Sequence, residues 1–260
     1  MHLRTVPARE GLQWSVQGIR TFWRQPLAMS GQFFLFMVLI SLVSMVPWIG
    51  GALALVLLPG LTAGIMAATQ KASEGLFPMP GVLLSAFKDP QQRKAMLQLG
   101  GGYALGFVLL MAASTLADGG SFAKVYLGGA AVTPGLVNSG AFQTALWISM
   151  LLYIPLSMLF WHAPALVYWQ QIEPAKSVFF SWLACWRNKG AFLVYALVWA
   201  LIFAGAGVMA LIVTSVLGDT QGMMAVLKPL ALMVTAMFFT SMLFTVKACF
   251  SASPPEQTLA

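Results

Sequence analysis

The sequence predicts an all-α, polytopic membrane protein with six transmembrane helices and three interfacial amphipathic helices, and three observations lead to this prediction. Of its 260 residues, 59% are hydrophobic and only 8% are charged, whereas a soluble domain carries about 25% charged residues. Long charge-free runs alternate with short polar connections, and each run supplies the roughly 20 residues that one span requires. The positive charges collect in every second connection, which is typical of a chain that crosses a membrane repeatedly.

The first element is a surface helix over residues 9–25. Its apolar residues share one face and its arginines share the other, so this short helix should lie in the membrane interface rather than span the bilayer. Trp14 falls outside the apolar stripe, which consists of Leu12, Val16, Ile19, Phe22 and Trp23. Pro26 follows, and it suits the first turn of a new helix better than the interior of the preceding one.

The charge-free run between Arg24 and Lys71 has about twice the length of one span, and the turn at 47–51 divides it. The same reasoning along the chain predicts spanning helices at about 27–47, 50–70, 91–117, 142–162, 191–217 and 229–249. We expect Pro59 to kink the second of these helices. The Gly- and Ser-rich connection at 118–141 should be a loop with one short helix.

The second and third surface segments also precede spanning helices. In the 71–96 connection, Asp89 is a candidate N-cap after a short apolar stripe of Val82, Leu83 and Phe87. In the third segment, residues 173–187, apolar side chains recur at helical spacing: Val178, Phe179, Trp182, Leu183 and Trp186. We expect Asn188 to cap the next helix and Gly190 to permit the bend before it.

The junctions between surface segment and spanning helix correspond in sequence. Each carries an aromatic residue, a cation and a polar residue, at Trp23-Arg24-Gln25, Phe87-Lys88-Asp89 and Trp186-Arg187-Asn188. The sequence therefore predicts one integral membrane domain with three repeat units, at about 1–70, 71–161 and 162–250, and a short tail at 251–260. Arg24, Lys88 and Arg187 become candidate contacts for lipid headgroups, and the alternative is that they are ordinary interfacial anchors.

The distribution of cations predicts the orientation. Twelve of the fourteen Lys and Arg residues lie in the N-terminal segment, the second and fourth connections and the exit of the last helix, and only Lys124 and Lys228 lie on the opposite side. Because cytoplasmic connections carry the excess of cations, we expect both termini in the cytoplasm. Membrane lipids, especially anionic phospholipid, are the expected partners. The cations form no tract with interleaved aromatic residues, which argues against binding of nucleic acid.

The sequence contains no pattern for catalysis or metal binding. No Asp, Glu, Lys, Arg or His occupies the middle of a predicted span, which counts against ion- or proton-coupled transport. Motifs for nucleophilic, zinc or general acid–base chemistry are missing, so we expect no catalytic residue, cofactor or metal site. Cys185 and Cys249 lack metal-binding spacing and should be reduced, buried apolar residues.

Four residues near the helix ends and interiors leave two interpretations open. Pro59, Pro155 and Pro164 are either simple kinks or breaks in discontinuous helices around a cavity. His162, two residues before Pro164, is either an interfacial polar residue or part of such a site.

Several runs resemble a family of proteobacterial integral membrane proteins of unknown function. They are LRTVPAREGLQW at 3–14, LLPGLTAGIMAA at 57–68, FWHAPALVYW at 160–169 and VFFSWLACWRNKGAFLVY at 178–195. The resemblance covers nearly the whole chain and implies a six-helix protein of a Gram-negative inner membrane, with no known reaction or functional residues. The family is loosely similar to the membrane domains of some bacterial glycerophosphodiester phosphodiesterases. We expect no such activity, because their catalytic soluble domain has no counterpart in this sequence.

Two functions are consistent with these features. The first is a non-enzymatic inner-membrane protein that interacts with lipid or forms the membrane subunit of an assembly. The alternative is a carrier or flippase for a small apolar or amphipathic solute, with a groove beside Pro59, Pro155 and Pro164. A polar central cavity would favour the carrier, and an interior sealed by Gly and Ala would favour the first function.

Overall fold

A computed structural model describes residues 2–217 and 220–251 of the chain. This described part is all-α apart from one antiparallel pair of two-residue strands, β1 (His2–Leu3) and β2 (Phe250–Ser251). Its helices are α1 (Glu10–Arg24), α2 (Pro26–Ser44), α3 (Gly50–Ser73), α4 (Pro90–Asp118), α5 (Ser121–Gly128), α6 (Pro134–Val137), α7 (Gly140–Phe160), α8 (Ala163–Gln170), α9 (Pro174–Arg187), α10 (Lys189–Leu217) and α11 (Thr220–Cys249).

Six helical stretches are long and apolar enough to cross a membrane, which confirms the predicted all-α polytopic architecture. They are Pro26–Ser44, Gly50–Ser73, Pro90–Asp118, Gly140–Gln170, Lys189–Val213 and Leu227–Cys249. The first five predicted helices agree with α2, α3, α4, α7 and α10 to within three residues at each end. The sixth differs, because α11 begins at Thr220 and continues through Pro229. From residue 252 on, the predicted tail lies outside the described residues.

Local chemistry sets the ends of the spanning helices. The Asp89 carboxylate accepts a hydrogen bond from the Gln92 N–H at 2.8 Å and caps α4, with Pro90 in its first turn. Helix α4 ends at Gly119, whose φ of 64° is a left-handed conformation that glycine adopts at no steric cost. At the turn between α2 and α3, Trp48 has a φ of 69° and is fully exposed.

The connections contain more short helices than predicted. In the 71–96 connection, two single-turn 3₁₀ helices (Pro80–Val82 and Ser85–Phe87) take the place of a surface α-helix. Pro78, Pro80 and Gly81 oppose a continuous helix there. The 118–141 connection contains both α5 and α6 rather than one short helix, and α8 is a separate helix after α7.

The chain divides into two compact units. The first comprises the chain up to Leu39, Leu61–Ala86 and the chain from Leu183 onward, and the second comprises Ile40–Gly60 and Phe87–Trp182. These units differ from the three predicted repeat units, which stay a prediction.

In the first unit, α1 packs closely against α10 and α11. A Cβ at Gly11 would overlap the backbone carbonyl of Ala191 in α10, and a Cβ at Gly18 would overlap the backbone of Ser241 in α11. Glycine at these two positions therefore sets the distance between α1 and the spanning helices. Such close contact is typical of helix packing in membranes, where small residues bring backbones together.

Trp14, the residue outside the predicted apolar stripe, is the most deeply buried aromatic contact of α1 with α10. It is 1% exposed, and its ring centroid lies 5.2 Å from Phe192 and 6.0 Å from Tyr195. The Tyr195 hydroxyl in turn lies 2.6 Å from the Ser241 hydroxyl. Trp14 thus belongs to a third face of α1, which contacts protein rather than lipid or water.

Asn188 joins three separate parts of the first unit. Its side chain accepts a hydrogen bond from the Val6 N–H at 2.8 Å and donates to the carbonyls of Arg4 and Ala184, both at 3.0 Å. It also donates to the Cys249 sulfur at 3.5 Å. The expectation that this side chain caps α10 is therefore wrong, since its oxygen receives the N–H of the N-terminal segment instead.

In the second unit, α4 packs along α7 and also contacts α5 and α8. The shared core consists of Leu110, Met111, Phe122, Phe142, Ala145 and Leu156. Near the start of α4, a Cβ at Gly100 would overlap the Val56 carbonyl of α3. The glycine run at 100–102 therefore serves close helix packing at its first position.

Candidate functional site

The structure leaves Lys88 and Arg187, two of the three candidate headgroup contacts, exposed at the ends of surface segments. Lys88 follows the second 3₁₀ helix, and Arg187 is the last residue of α9. Arg24, also exposed, donates a hydrogen bond from Nη1 to the Ser73 carbonyl at 2.9 Å. It therefore satisfies a terminal carbonyl of α3, in addition to any contact with lipid.

The candidate kink and cavity residues all lie in the second unit. Pro59 is buried within α3, and Pro155 is half-buried within α7. His162 is fully buried between α7 and α8, where its backbone N–H donates to the Ser181 hydroxyl at 2.9 Å. Pro164 lies in the first turn of α8. His162 and Pro164 thus form the bend at the end of the fourth span.

Helices α1 and α9 each have three faces rather than two. On α9, the buried face carries small and polar residues: Ser177, Ser181, Ala184 and Cys185. Its aromatic residues Phe179 and Trp186 are more than half exposed. On α1, Leu12 and Trp23 are likewise exposed. Part of the apolar stripe identified in the sequence therefore points away from the protein on both helices and is available to lipid, whereas Phe22 of the α1 stripe is buried against the protein.

An amphipathic cleft lies in the second unit where α4 begins and α9 starts. Its polar end has a volume of 410 Å³ and is lined by polar and charged side chains that include Asp89, Gln92, Lys94, Gln171 and Glu173. Gln92 also donates to the Tyr168 carbonyl at 2.7 Å, which ties α4 to α8 beside the cleft. Gln171 has a φ of 52°, a left-handed conformation at the end of α8.

The charges at the polar end are unequally compensated. Glu173 forms an ion pair with Lys176 at 2.8 Å, and this hydrogen bond and charge hold the pKa of the Glu173 carboxyl below its usual value. The Asp89 carboxylate faces the N-terminus of α4 and accepts the Gln92 N–H. Lys94 forms no ion pair within the described residues. The polar end therefore holds one lysine that no carboxylate of the described residues pairs with, beside the Asp89 and Glu173 carboxylates.

The apolar end of the cleft adjoins the polar end and is larger than it. It has a volume of 540 Å³, and it shares Gln98, Glu173 and Pro174 with the polar end. Its other lining residues are mostly apolar: Leu99, Gly102, Phe160, Ala175 and Val178. A cleft with a polar end and an apolar end suits a molecule with a charged head and a hydrocarbon chain.

Sequence reasoning did not identify the cleft. Lys94 was counted among the cations of the 71–96 connection, and none of the candidate site residues lines either end. The cleft lies between α4 and the α8–α9 segment, which is distant from α4 in sequence. The glutamines at 91, 92 and 98, three polar residues on the first turns of an otherwise apolar helix, were the available signal.

Among the described residues, no three His, Cys, Asp or Glu side chains cluster as metal ligands.

The fold and its lipid-facing helices define an integral, all-α membrane protein. A probable inner membrane protein of Burkholderia thailandensis is 38% identical to this chain over 259 residues, which cover 98% of the chain and 96% of that protein. The chain belongs to the family of this inner membrane protein. No family model and no solved structure matches the chain. The comparisons show no link to glycerophosphodiester phosphodiesterases.

Proposed function

We propose that this protein is a non-enzymatic, phospholipid-binding protein of the inner membrane, acting alone or as the lipid-contacting subunit of an assembly. The amphipathic cleft binds one phospholipid from the cytoplasmic leaflet. The phosphate lies at Lys94 and one acyl chain lies along Leu99, Gly102 and Phe160. Both termini face the cytoplasm in this proposal, in keeping with the distribution of cations.

The continuity of the cleft carries the proposal. Its two ends share three residues, so a single ligand can occupy both. Lys94 is the cation of the polar end that no carboxylate of the described residues pairs with, so it is the group for the phosphate. A cation near an anionic membrane surface contributes about 1 kcal/mol of attraction. Anionic phospholipid is therefore the preferred occupant.

The surface helices support the same function by a separate contact. The exposed aromatic and aliphatic faces of α1 and α9 lie among lipid chains, and their terminal cations Arg24 and Arg187 lie beside the headgroups. The neighbouring Lys189 lies 5.5 Å from the Trp186 ring centroid, a cation–π contact at the same helix end. These helices hold a shell of lipid around the protein, whereas the cleft holds a single molecule.

Native mass spectrometry of the purified protein tests the cleft. Lys94→Gln should remove about 1 kcal/mol of attraction for an anionic headgroup. Because 1.4 kcal/mol corresponds to a factor of ten, the retained phosphatidylglycerol should fall about fivefold. Gly102→Leu should lower it as well, because a Cβ at Gly102 fits at 3.6 Å from Phe160 and the rest of the side chain fills the apolar end.

The adjacent positions give matched controls. Arg93 is exposed and does not line the cleft, and a Cβ at Gly101 has open space around it. Arg93→Gln and Gly101→Leu should therefore retain lipid like the unmodified protein. If all four variants retain the same lipid, the cleft is not the binding site. A loss only in the triple variant Arg24→Gln, Lys88→Gln, Arg187→Gln would assign lipid retention to the surface helices.

A carrier or flippase is the second candidate, and an aromatic pair favours it. Phe160 lines the amphipathic cleft, and Tyr103 lines a further cavity of the same unit. Their ring centroids are 5.2 Å apart in an edge-to-face arrangement, so residues that line the two spaces are in contact. Proteoliposomes containing a fluorescent phospholipid test this candidate. Transfer between leaflets that is faster with Phe160→Ala than with the unmodified protein would support a carrier, and no transfer above protein-free vesicles would leave lipid binding alone.

A further inference from the structure

A second cavity of the second unit has different chemistry from the cleft. It has a volume of 450 Å³ and lies between α3, α4, α5 and α7. Twelve side chains line it, and none of them is Asp, Glu, Lys, Arg or His. The lining residues with polar side chains are Tyr103, Tyr126, Tyr153 and Ser149. We name it the tyrosine cavity.

The tyrosine cavity lies deep in the membrane. Ser149 is nine residues after the start of α7, or about 14 Å along the helix at 1.5 Å per residue. Since the hydrocarbon core of a bilayer is about 30 Å thick, this hydroxyl lies near its middle. At that depth bulk water is not at hand to satisfy a polar group.

Ser149 is 5% exposed, and its hydroxyl has no hydrogen-bond partner among the described residues. Other helical serines behave differently. In α4 the Ser114 hydroxyl donates to the Met111 carbonyl at 2.7 Å, and in α7 the Ser157 hydroxyl donates to the Ile154 carbonyl at 2.7 Å. Ser149 makes no such bond to its own helix. In this rotamer the hydroxyl is closed off from the cavity that Ser149 lines, and rotation about χ1 turns it towards the cavity, where a ligand can be its partner.

The wall offers further hydrogen-bonding groups but no charge. The side chains of Tyr103 and Tyr153 both line this wall. Pro59 has no N–H, so the carbonyl of the cavity-lining residue Leu55 lacks its usual helical donor. A ligand with one hydroxyl can thus both donate and accept here, whereas a charged group would lose its hydration without gaining a counter-charge.

The cavity has an open mouth and a closed floor. Tyr126, Met150 and Tyr153 are 63%, 54% and 45% exposed, whereas Met111 and Phe122 are at most 4% exposed. The exposed side chains belong to spanning or adjoining helices, so the mouth opens towards lipid. A ligand therefore enters from the bilayer, and its apolar body contacts the leucine, methionine and phenylalanine side chains of the wall.

We propose that the tyrosine cavity binds an uncharged, single-chain lipid whose hydroxyl group hydrogen-bonds to Ser149. This site is independent of the phospholipid cleft and of the function proposed for it. The cleft requires Lys94 and a phosphate, whereas the tyrosine cavity requires an apolar chain with one neutral polar group.

Competition between matched probes tests the site. The detergent-purified full-length protein is incubated with 1-dodecanol, dodecane or dodecanoate, and the bound probe is measured by native mass spectrometry. A net hydrogen bond contributes about 0.5–1.5 kcal/mol, so the alcohol should bind about two- to tenfold more tightly than the alkane. Dodecanoate should bind more weakly than either, because its carboxylate meets no cation in the cavity.

Two serine variants on the same helix separate the site from general effects. Ser149→Ala should remove the preference for alcohol over alkane and leave alkane binding intact, and it should keep or raise stability because it removes an unsatisfied polar group. Ser157→Ala should retain the preference. Ser149→Leu fills the wall position and should weaken all three probes. Equal preferences in the Ser149→Ala and unmodified proteins, or no binding of alcohol at all, would overturn the proposal.

Discussion

The side chain of Asn188 should contribute more to stability than any other single polar residue of the first unit. It is 2% exposed, and it satisfies the Val6 N–H and the Arg4 carbonyl of the N-terminal segment. Asn188→Ala leaves both groups without a partner, at about 1–3 kcal/mol for each buried group. We therefore expect the free energy of unfolding to fall by about 3 kcal/mol.

The measurement is reversible unfolding in mixed micelles, followed by tryptophan fluorescence during titration with a denaturing detergent. Asn138, the other asparagine of the chain, is exposed, and Asn138→Ala should change the free energy of unfolding by less than about 0.5 kcal/mol. Asn188→Asp keeps the size and the acceptor for Val6 but loses the donors to Arg4 and Ala184. A loss below about 1 kcal/mol for Asn188→Ala, or a stable Asn188→Asp variant, would refute the assignment to these hydrogen bonds.

Three further predictions concern packing, cysteine chemistry and orientation. Gly18→Ala should destabilise the protein by about 1–3 kcal/mol because the new Cβ would overlap Ser241. Gly31→Ala should not, because a Cβ at Gly31 has open space. Equal thermal unfolding midpoints for the two variants would contradict this. Burial raises the pKa of the Cys185 thiol, and nearby Cys249 raises it further, so maleimide should label the folded protein far more slowly than the denatured one. We also expect no disulfide between the two cysteines, and a gel shift that reductant reverses would contradict this. A periplasm-dependent reporter fused after the last residue should give no signal, and a strong signal would mean that the predicted orientation is wrong.

The six spans and most of their ends could be predicted from the sequence, because each depends on a local property. A charge-free run is visible in the composition of a short window, and Pro26, Asp89 and Pro90 act on the helix turn in which they lie. The predicted start of the sixth span differs from the start of α11 because that prediction also used only local sequence. The predicted sixth span begins at about residue 229, the position of a proline, whereas the helix continues through Pro229 from Thr220. Proline is tolerated inside membrane helices when neighbouring groups satisfy the freed carbonyl.

The candidate site could not be predicted, because its residues are brought together by tertiary contacts. Lys94 and Val178 line the two ends of one cleft although 84 positions separate them. Likewise, Ser149 resembles any other serine of an apolar helix in the sequence. Only its burial and lack of a partner distinguish it from Ser157, eight residues later.

The surface helices show why apolar periodicity alone misidentifies a packing face in a membrane protein. Lipid and protein are equally apolar, so a leucine gains nothing by leaving lipid for the protein, whereas small residues allow close contact between backbones. When Arg24 is aligned with Arg187, four of the six buried positions of α1 (14, 18, 21 and 22) coincide with the four buried positions of α9, which are 177, 181, 184 and 185. The two helices thus use equivalent faces with different side chains. The coincidence is one of position only, and the correspondence of the first and third repeat units stays a prediction.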